Sequence, residues 1–179
     1  QIAEIEHGAQ VARLIIDTLE RQAASCLHAL VPTLDDFVQR GLAGIGGITD
    51  DPEFDEAGSA GDNPLGEVQQ SVARLRLAAE QLDAADPKVD RLIRIVEESM
   101  TTTRPGKTLV FSFFLHTLDY LARRLRDRDL RVGVITGQVA DVDRERMRDL
   151  FRLDRSDPNA IDVLLSSEVG CEGLDYEFC

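Results

Sequence analysis

The sequence predicts an α/β fold in which helices cover both faces of a parallel sheet. The first supporting observation is a set of three short apolar runs after Lys107, at residues 109–114 (LVFSFF), 131–136 (RVGVIT) and 161–167 (IDVLLSS). The second is that helical periodicity separates these runs. Strands that are apolar throughout and alternate with helices are typical of a parallel sheet buried on both faces. A chain of 179 residues with 43% hydrophobic residues has room for one such domain and an extension.

Residues 1–40 are predicted to form a helical segment that braces this domain. Between residues 2 and 20, apolar side chains recur at steps of three and four, which indicates a helix with one buried stripe. Two shorter helices are expected, one at 22–30 that ends near Pro32 and one at 34–39.

Residues 41–66 differ sharply in composition from their neighbours. They hold 7 of the 13 glycines and six acidic residues, with no Lys or Arg. Such a segment has little apolar surface to bury, which predicts a solvated acidic linker or insertion. The α/β domain itself is expected to span residues 67–179.

Helical periodicity returns on both sides of Pro87. One helix is predicted over 68–82, and another begins at Pro87, which suits a first helical turn, with Asp86 placed to cap it. The helix after the first strand is expected to bury three leucines, Leu118, Leu121 and Leu125. Asp141 could cap the helix after the second strand. That helix is expected to turn four side chains inward, those of Val142, Met147, Leu150 and Phe151.

The formal net charge of −13 argues at first against a nucleic-acid partner, because phosphates attract basic surfaces. The acidic excess is uneven, however. Residues 1–103 carry 8 Lys/Arg and 19 Asp/Glu, whereas residues 104–179 carry 12 and 14. The part of the chain that holds the predicted strands is therefore nearly neutral, and its charge does not exclude nucleic acid.

Composition also limits the cellular compartments in which the protein is expected. The apolar runs are too short to span a membrane, and the first residues lack the basic and apolar regions of a secretory signal. The three cysteines are widely spaced and show neither CxxC nor metal-ligand spacing. We therefore expect a cytoplasmic protein that has no membrane contact and no metal site of its own.

Gly106, Lys107 and Thr108 match the last three letters of a phosphate-binding P-loop. That loop requires G-x-x-x-x-G-K-[ST] between a strand and a helix, so that backbone N–H groups and the helix dipole meet the phosphates. Here Thr101 stands in place of the first glycine, and the three residues precede a strand. We interpret them as a helix-to-strand turn and not as a nucleotide site.

A more informative turn follows the third predicted strand. The stretch SSEVGCEGLDY, at residues 166–176, is small and polar and contains Gly170 and Gly173. Ligands bind at the carboxyl ends of strands in open parallel sheets, and turns of this kind let backbone amides approach a phosphate. By itself this signal is weak, because Gly/Ser turns are common.

Four segments in one order and at fixed intervals are far more specific. They are DPKVDRLIRIVEE, KTLVFSFFLHTLDYLARRL, VITGQVADVDRERMRDLF and VLLSSEVGCEGLDY. Over residues 86–179 the chain resembles the second RecA-like lobe of superfamily 2 helicases, most closely the Swi/Snf-type branch of ATP-driven DNA translocases, and it looks similar to bacterial members. The resemblance includes the LVFS strand, the Thr-Gly after the second strand and the SS-x-x-G-x-EG-x-D turn.

The resemblance implies a lobe that binds the sugar-phosphate backbone of nucleic acid, expected to be duplex DNA. Six residues would lie at that backbone, namely Ser112, Thr136, Gly137, Arg144, Ser166 and Ser167. Hydroxyls and backbone amides suffice, since such contacts position the lobe without reading sequence. The residues themselves leave alternatives open: Ser112 could be satisfied inside the sheet edge, and Arg144 could brace the turn or be solvated.

The same resemblance implies an ATP site that closes between this lobe and a first RecA-like lobe. Glu172, Gly173 and Asp175 match positions that couple to ATP, although Cys171 stands where the family usually has Gly. ATP and Mg²⁺ would be held mainly by the first lobe, whose Walker A and Walker B residues this sequence lacks. The lobe also looks truncated before its arginine-finger motif. The fragment alone should therefore be inactive and contain no catalytic residue.

The sequence thus predicts part of an ATP-hydrolysing helicase or DNA translocase of the bacterial cytosol or nucleoid. An alternative from another class is a degenerate RecA-like module without ATPase activity, which would use its acidic surface for protein contact. A free-standing nucleotide-binding domain is the least favoured interpretation, because no phosphate loop follows the first strand.

Overall fold

The computed structural model describes residues 2–40, 66–79, 81–82, 85–101, 106–171 and 176. Almost all of the predicted acidic linker lies outside these residues. The chain divides into two compact units, Gln1–Asp83 and Ala84–Cys179. None of the described helices is long and apolar enough to cross a membrane.

Within the described residues, the first unit contains three helices, α1 (Ile2–Ser25), α2 (Leu30–Arg40) and α3 (Gly66–Ala79). The prediction of a separate helix at 22–30 that ends near Pro32 is wrong, because α1 continues to Ser25 and α2 begins at Leu30. Pro32 is the third residue of α2. It is tolerated there because the backbone N–H groups of a first helical turn have no partner within the helix.

The core of the first unit lies between α2 and α3. Leu34 and Phe37 of α2 and Val72 of α3 are almost completely buried. An ion pair between Arg76 of α3 and Asp35 of α2 joins the same two helices at the surface. The unit that carries the sheet begins after α3, at Ala84, and the predicted lobe bounds of 67–179 stay a prediction.

The second unit begins with a helix and continues as alternating strands and helices. Its elements are α4 (Pro87–Met100), β1 (Thr108–Phe111), α5 (Leu115–Arg126), β2 (Val132–Ile135), α6 (Asp141–Arg152), β3 (Val163–Ser166) and a 3-10 turn (Val169–Cys171). The strands form a parallel sheet in the order β1-β3-β2, with Val163 of β3 in register with Thr108 and Val132. The predicted α/β class with a parallel sheet is confirmed.

Helices cover both faces of this sheet. Val163 and Leu165 of β3 point to a core that α4 and α5 complete, and Leu118, Leu121 and Leu125 are buried there as predicted. Leu164 points to the other face, where Ile135 of β2 and Phe151 of α6 are fully buried. The alternation along β3 thus divides its side chains between two cores.

The two predicted helix caps have different outcomes. Asp86 caps α4, since its carboxylate accepts from the Val89 N–H at 3.0 Å, and Pro87 occupies the first turn. Asp141 does not cap α6, because it is the first helical residue and Ala140 is the N-cap. The inward placement of Val142 is also wrong, since its side chain is 71% exposed.

Candidate nucleic-acid interface

The carboxyl ends of the three strands bring together the polar residues that the sequence singled out. The Ser112 N–H donates to the Ser166 carbonyl at 3.0 Å, so β1 and β3 stay adjacent beyond their last paired residues. The Ser167 N–H donates to the Ile135 carbonyl at 3.0 Å, which places the end of β3 against the end of β2. Ser112, Thr136 and Ser167 therefore line one edge of the sheet, here called the carboxyl edge.

The hydroxyl of Ser167, the first residue after β3, stabilises the turn that follows this strand. Ser167 is fully buried, and its Oγ accepts from the Gly170 N–H at 3.0 Å. A Cβ added to Gly170 would lie 2.7 Å from the Ile135 carbonyl oxygen and 2.9 Å from the Thr136 Cα. Because these atoms belong to the backbone, only glycine lets the turn lie directly on the end of β2.

Ser166 is also buried, and its hydroxyl donates to the Ser167 carbonyl at 2.8 Å. Both serine hydroxyls therefore have partners within the turn, a structural role that the sequence did not predict. The sequence signal for this role is the Ser-x-x-Gly spacing of residues 167–170. A serine hydroxyl at this spacing can accept a hydrogen bond from the backbone N–H three residues later. Their contact with nucleic-acid phosphates stays a prediction.

Ser112 lies half-buried at the end of β1. Its Oγ is 3.2 Å from the Phe114 backbone nitrogen, from which it accepts, and 3.3 Å from the Phe114 carbonyl oxygen. Ser112 lines an open pocket of about 360 Å³ together with Phe111, Phe113 and Glu168. The local hydrogen bonds match the alternative of a satisfied serine, although the residue borders a space that a ligand can enter.

Thr136 and Gly137 begin the connection from β2 to α6. Thr136 is half-buried, and its carbonyl accepts from the Val139 N–H at 3.0 Å, which closes a turn. Gly137 is exposed at the tip of that turn. The pair therefore lies at the carboxyl edge, beside the turn that Gly170 places on β2.

Arg144 connects α6 to the turn after β3. Its Nη1 lies 3.4 Å from the Val169 carbonyl oxygen, and its guanidinium pairs with Asp141. The side chain is 19% exposed. This arrangement corresponds to the bracing alternative, and a contact between Arg144 and phosphate stays a prediction.

The three residues assigned to ATP coupling, Glu172, Gly173 and Asp175, lie outside the described residues. Within the part of the chain that is described, no group of three or more His, Cys, Asp or Glu side chains could hold a metal ion.

The opposite edge of the sheet, here called the amino edge, holds the P-loop-like residues. Lys107 precedes β1, and its Nζ donates to the Ile161 carbonyl at 2.6 Å. Burial lowers the pKa of Lys107, while the charge of Asp162 opposes that shift. The lysine thus ties two strand entrances together at the end of the sheet away from Ser112, in agreement with its interpretation as a turn residue.

Asp162 is the centre of an ion network at the amino edge. Arg131 donates to both of its carboxylate oxygens, Nε to Oδ2 at 2.9 Å and Nη2 to Oδ1 at 2.7 Å. Arg155 Nε donates to Oδ1 at 3.1 Å. Burial would raise the pKa of Asp162, but the hydrogen bonds and charge of Arg131 outweigh it and hold the pKa below its usual range.

Comparison with known proteins agrees with this architecture. Residues 87–179, about half of the chain, match the family described as "Helicase conserved C-terminal domain". The ATP-dependent RNA helicase RhlB of Shewanella sediminis is 31% identical over 88 residues, which are 49% of this chain and 19% of that protein. The pre-mRNA-processing ATP-dependent RNA helicase PRP5 of Meyerozyma guilliermondii is 30% identical over 102 residues, which are 57% of this chain and 11% of that protein.

The matched region therefore spans less than a fifth of the length of either relative. No solved structure matches the chain. Both relatives are named as RNA helicases, so these comparisons do not support the finer prediction of a Swi/Snf-type DNA translocase. The parallel sheet with its carboxyl-edge turn and the match over residues 87–179 together show that the chain belongs to the family of helicase conserved C-terminal domains.

Proposed function

We propose that this chain is the second lobe of an ATP-dependent helicase motor. The lobe contacts the backbone of nucleic acid with its carboxyl edge and completes an ATP site with a first RecA-like lobe. The observation that carries the proposal is the meeting of Ser112, Thr136 and Ser167 at one edge of the sheet, in a chain of this family. ATP and Mg²⁺ are held mainly by the first lobe in this scheme.

The chemistry of the carboxyl edge suits a phosphate backbone. Hydroxyls and exposed backbone groups can donate to phosphate oxygens without recognising a base, as a motor that moves along any sequence requires. Gly137 is exposed there and lacks a side chain, so a nucleic-acid backbone can approach closely. The near balance of charges in residues 104–179 avoids strong repulsion of phosphates at this edge.

Two nucleic acids are candidates for the substrate. We propose RNA first, because both relatives named above are RNA helicases by name. Duplex DNA is the second candidate, favoured by the four ordered segments that resemble the Swi/Snf-type branch. The two candidates differ in the 2′-hydroxyl, which a protein can use to distinguish RNA from DNA.

The test measures ATP hydrolysis by the full-length protein with single-stranded RNA, duplex RNA or duplex DNA of one sequence. Loss of one hydrogen bond to a charged phosphate costs about 1.5–3 kcal/mol, so Ser112→Ala should weaken half-maximal stimulation at least about tenfold. Ser167→Ala should also weaken stimulation, because it removes the acceptor of the Gly170 N–H and loosens the turn. Ser156→Ala is the matched control, since Ser156 is exposed and its hydrogen bonds with described residues are local ones to Asp154.

The outcomes separate the hypotheses. Stimulation by RNA but not DNA supports the first candidate, and the reverse supports the second. Undiminished stimulation in both serine variants would show that the carboxyl edge is assigned wrongly. If no nucleic acid stimulates hydrolysis or binds in a salt-dependent manner, the protein-interaction module becomes the better explanation.

A further inference from the structure

The pocket beside Ser112 has walls that differ from the rest of the carboxyl edge. Phe111, Phe113 and Glu168 line it together with Ser112, around about 360 Å³ of space. That volume lies at the small end of ligand sites, which span about 300–1,000 Å³. It accommodates one planar heterocycle but not a base pair with its sugars. We call this space the Phe111 pocket.

The aromatic wall is both accessible and supported. Phe111 is the last residue of β1, and its side chain is 58% exposed, unlike its neighbours in the sheet. Phe113 packs edge-to-face on Phe114, with ring centroids 5.3 Å apart and planes at 86°. Because Phe114 is only 4% exposed, this contact anchors Phe113 to the core. An exposed ring beside an anchored one offers a stacking surface for a base.

The polar wall decides which part of a nucleotide can enter. Glu168 is exposed at the start of the turn after β3, is one of the residues that line the pocket, and carries a carboxylate. A carboxylate repels a phosphate, but it accepts a hydrogen bond from an exocyclic amino group such as N4 of cytosine. Uracil and thymine present a carbonyl oxygen at the same position, which a carboxylate disfavours.

We propose that the Phe111 pocket receives one unpaired base of the bound strand and prefers a base with an exocyclic amino group. The base stacks on Phe111, and Glu168 accepts from its amino group. This inference rests on the proposed function, since Ser112 belongs both to the pocket and to the predicted phosphate contacts. It adds a base contact to an edge that otherwise touches only the backbone.

The test compares three 12-unit probes on the full-length protein by fluorescence anisotropy: oligo(C), oligo(U) and an abasic backbone with phosphates but no bases. Loss of one stack should make Phe111→Ala bind oligo(C) about tenfold more weakly. The abasic probe, which has nothing to stack, should bind both proteins equally. Phe111→Tyr keeps an aromatic ring and should match the wild type.

Two further variants sharpen the result. Glu168→Gln keeps an acceptor and adds a donor, so it should reduce the preference for oligo(C) over oligo(U). Val142→Ala is the control, because Val142 is an apolar residue 71% exposed on α6 outside the pocket. Ribose and deoxyribose forms of each probe show whether the pocket serves RNA, DNA or both.

Two failures are distinguishable. If the wild type binds all probes and Phe111→Ala weakens none, or weakens the abasic probe as much as oligo(C), the base pocket is wrong while the proposed function stands. If the wild type binds none of the probes, the base pocket is wrong, and the hydrolysis test with duplex RNA and duplex DNA decides the proposed function separately.

Discussion

The two edges of the sheet differ in the polar groups they hold and in what those groups bind. At the amino edge, a buried carboxylate on Asp162 is matched by Arg131 and Arg155, and Lys107 is bound to a backbone carbonyl. At the carboxyl edge, the half-buried hydroxyl of Ser112 bonds to the Phe114 backbone, and the buried hydroxyl of Ser167 holds the turn after β3. The difference shows that the amino edge concentrates buried charge that stabilises the lobe, whereas the edge proposed to meet nucleic acid combines hydroxyl and backbone groups with the charged residues Arg144 and Glu168.

This comparison predicts that stability and binding can be changed separately. Damage at the amino edge should destabilise the lobe and leave the affinity of the folded protein intact. Substitutions at the carboxyl edge should reduce nucleic-acid affinity by more than their loss of folding stability explains.

The largest effect on stability is expected from Asp162→Ala. Removing a buried carboxylate leaves two guanidinium groups without their partner, and the free energy of unfolding should fall by about 3 kcal/mol. Urea unfolding measures the change, and nucleic-acid affinity measured well below the unfolding midpoint should equal that of the wild type. Asp149→Ala removes an exposed ion pair with Arg148 and should cost less than about 0.5 kcal/mol. Equal losses in the two variants would contradict the role given to the network.

Gly170→Ala should have the next largest effect on stability and should also reduce binding. Its Cβ would meet the Ile135 carbonyl oxygen at 2.7 Å, so the turn must move off β2, at a cost of about 2 kcal/mol. Nucleic-acid-stimulated hydrolysis should fall as well, because Ser167 moves with the turn. Gly106→Ala provides the control, since a Cβ there has no neighbour within 4 Å. If the Gly170→Ala protein keeps wild-type stimulation of ATP hydrolysis, the position of this turn does not matter for nucleic-acid binding.

The smallest effect is a pH dependence at the amino edge. The folded-state pKa of Asp162 is depressed, so the stability gained from its ionised form is fully present above its unfolded pKa, about 4. That gain is lost as the pH falls through the lower folded-state value. Urea midpoints of the wild type and Asp162→Asn should therefore differ by a constant amount from pH 7 to pH 5 and converge below about pH 4. If the two urea midpoints keep the same difference down to pH 2, the ionisation of Asp162 does not contribute to stability.

Much of the fold of the second unit could be predicted from the sequence. A parallel strand buried on both faces is apolar at every position, so LVFSFF, RVGVIT and IDVLLSS locate the strands to within two residues at their starts. Periodicity carries no information on pairing, which is why the order β1-β3-β2 was not predicted. Val142 lies five residues before Met147, about 140° away around a helix, so the same periodicity could have placed it outside.

The site was predictable only in part. The family resemblance implied that Ser112, Thr136 and Ser167 lie at one nucleic-acid backbone, and they do lie together because the carboxyl ends of parallel strands meet at one edge of the sheet. The network of Arg131 and Asp162 was missed, because its partners are 31 residues apart and no local pattern connects them. The Phe111 pocket was missed for a similar reason, since Phe111 and Glu168 come together only through the pairing of β1 with β3.

The strand order also has a consequence for biosynthesis. Within the described residues, β1 and β2 pair only with β3, which is the last of the three strands in the sequence. A nascent chain therefore cannot form a single inter-strand hydrogen bond of this sheet until residues 163–166 have left the ribosome. Until then the strands TLVF and VGVI have no partner strand, and both pairings depend on the late synthesis of the central strand.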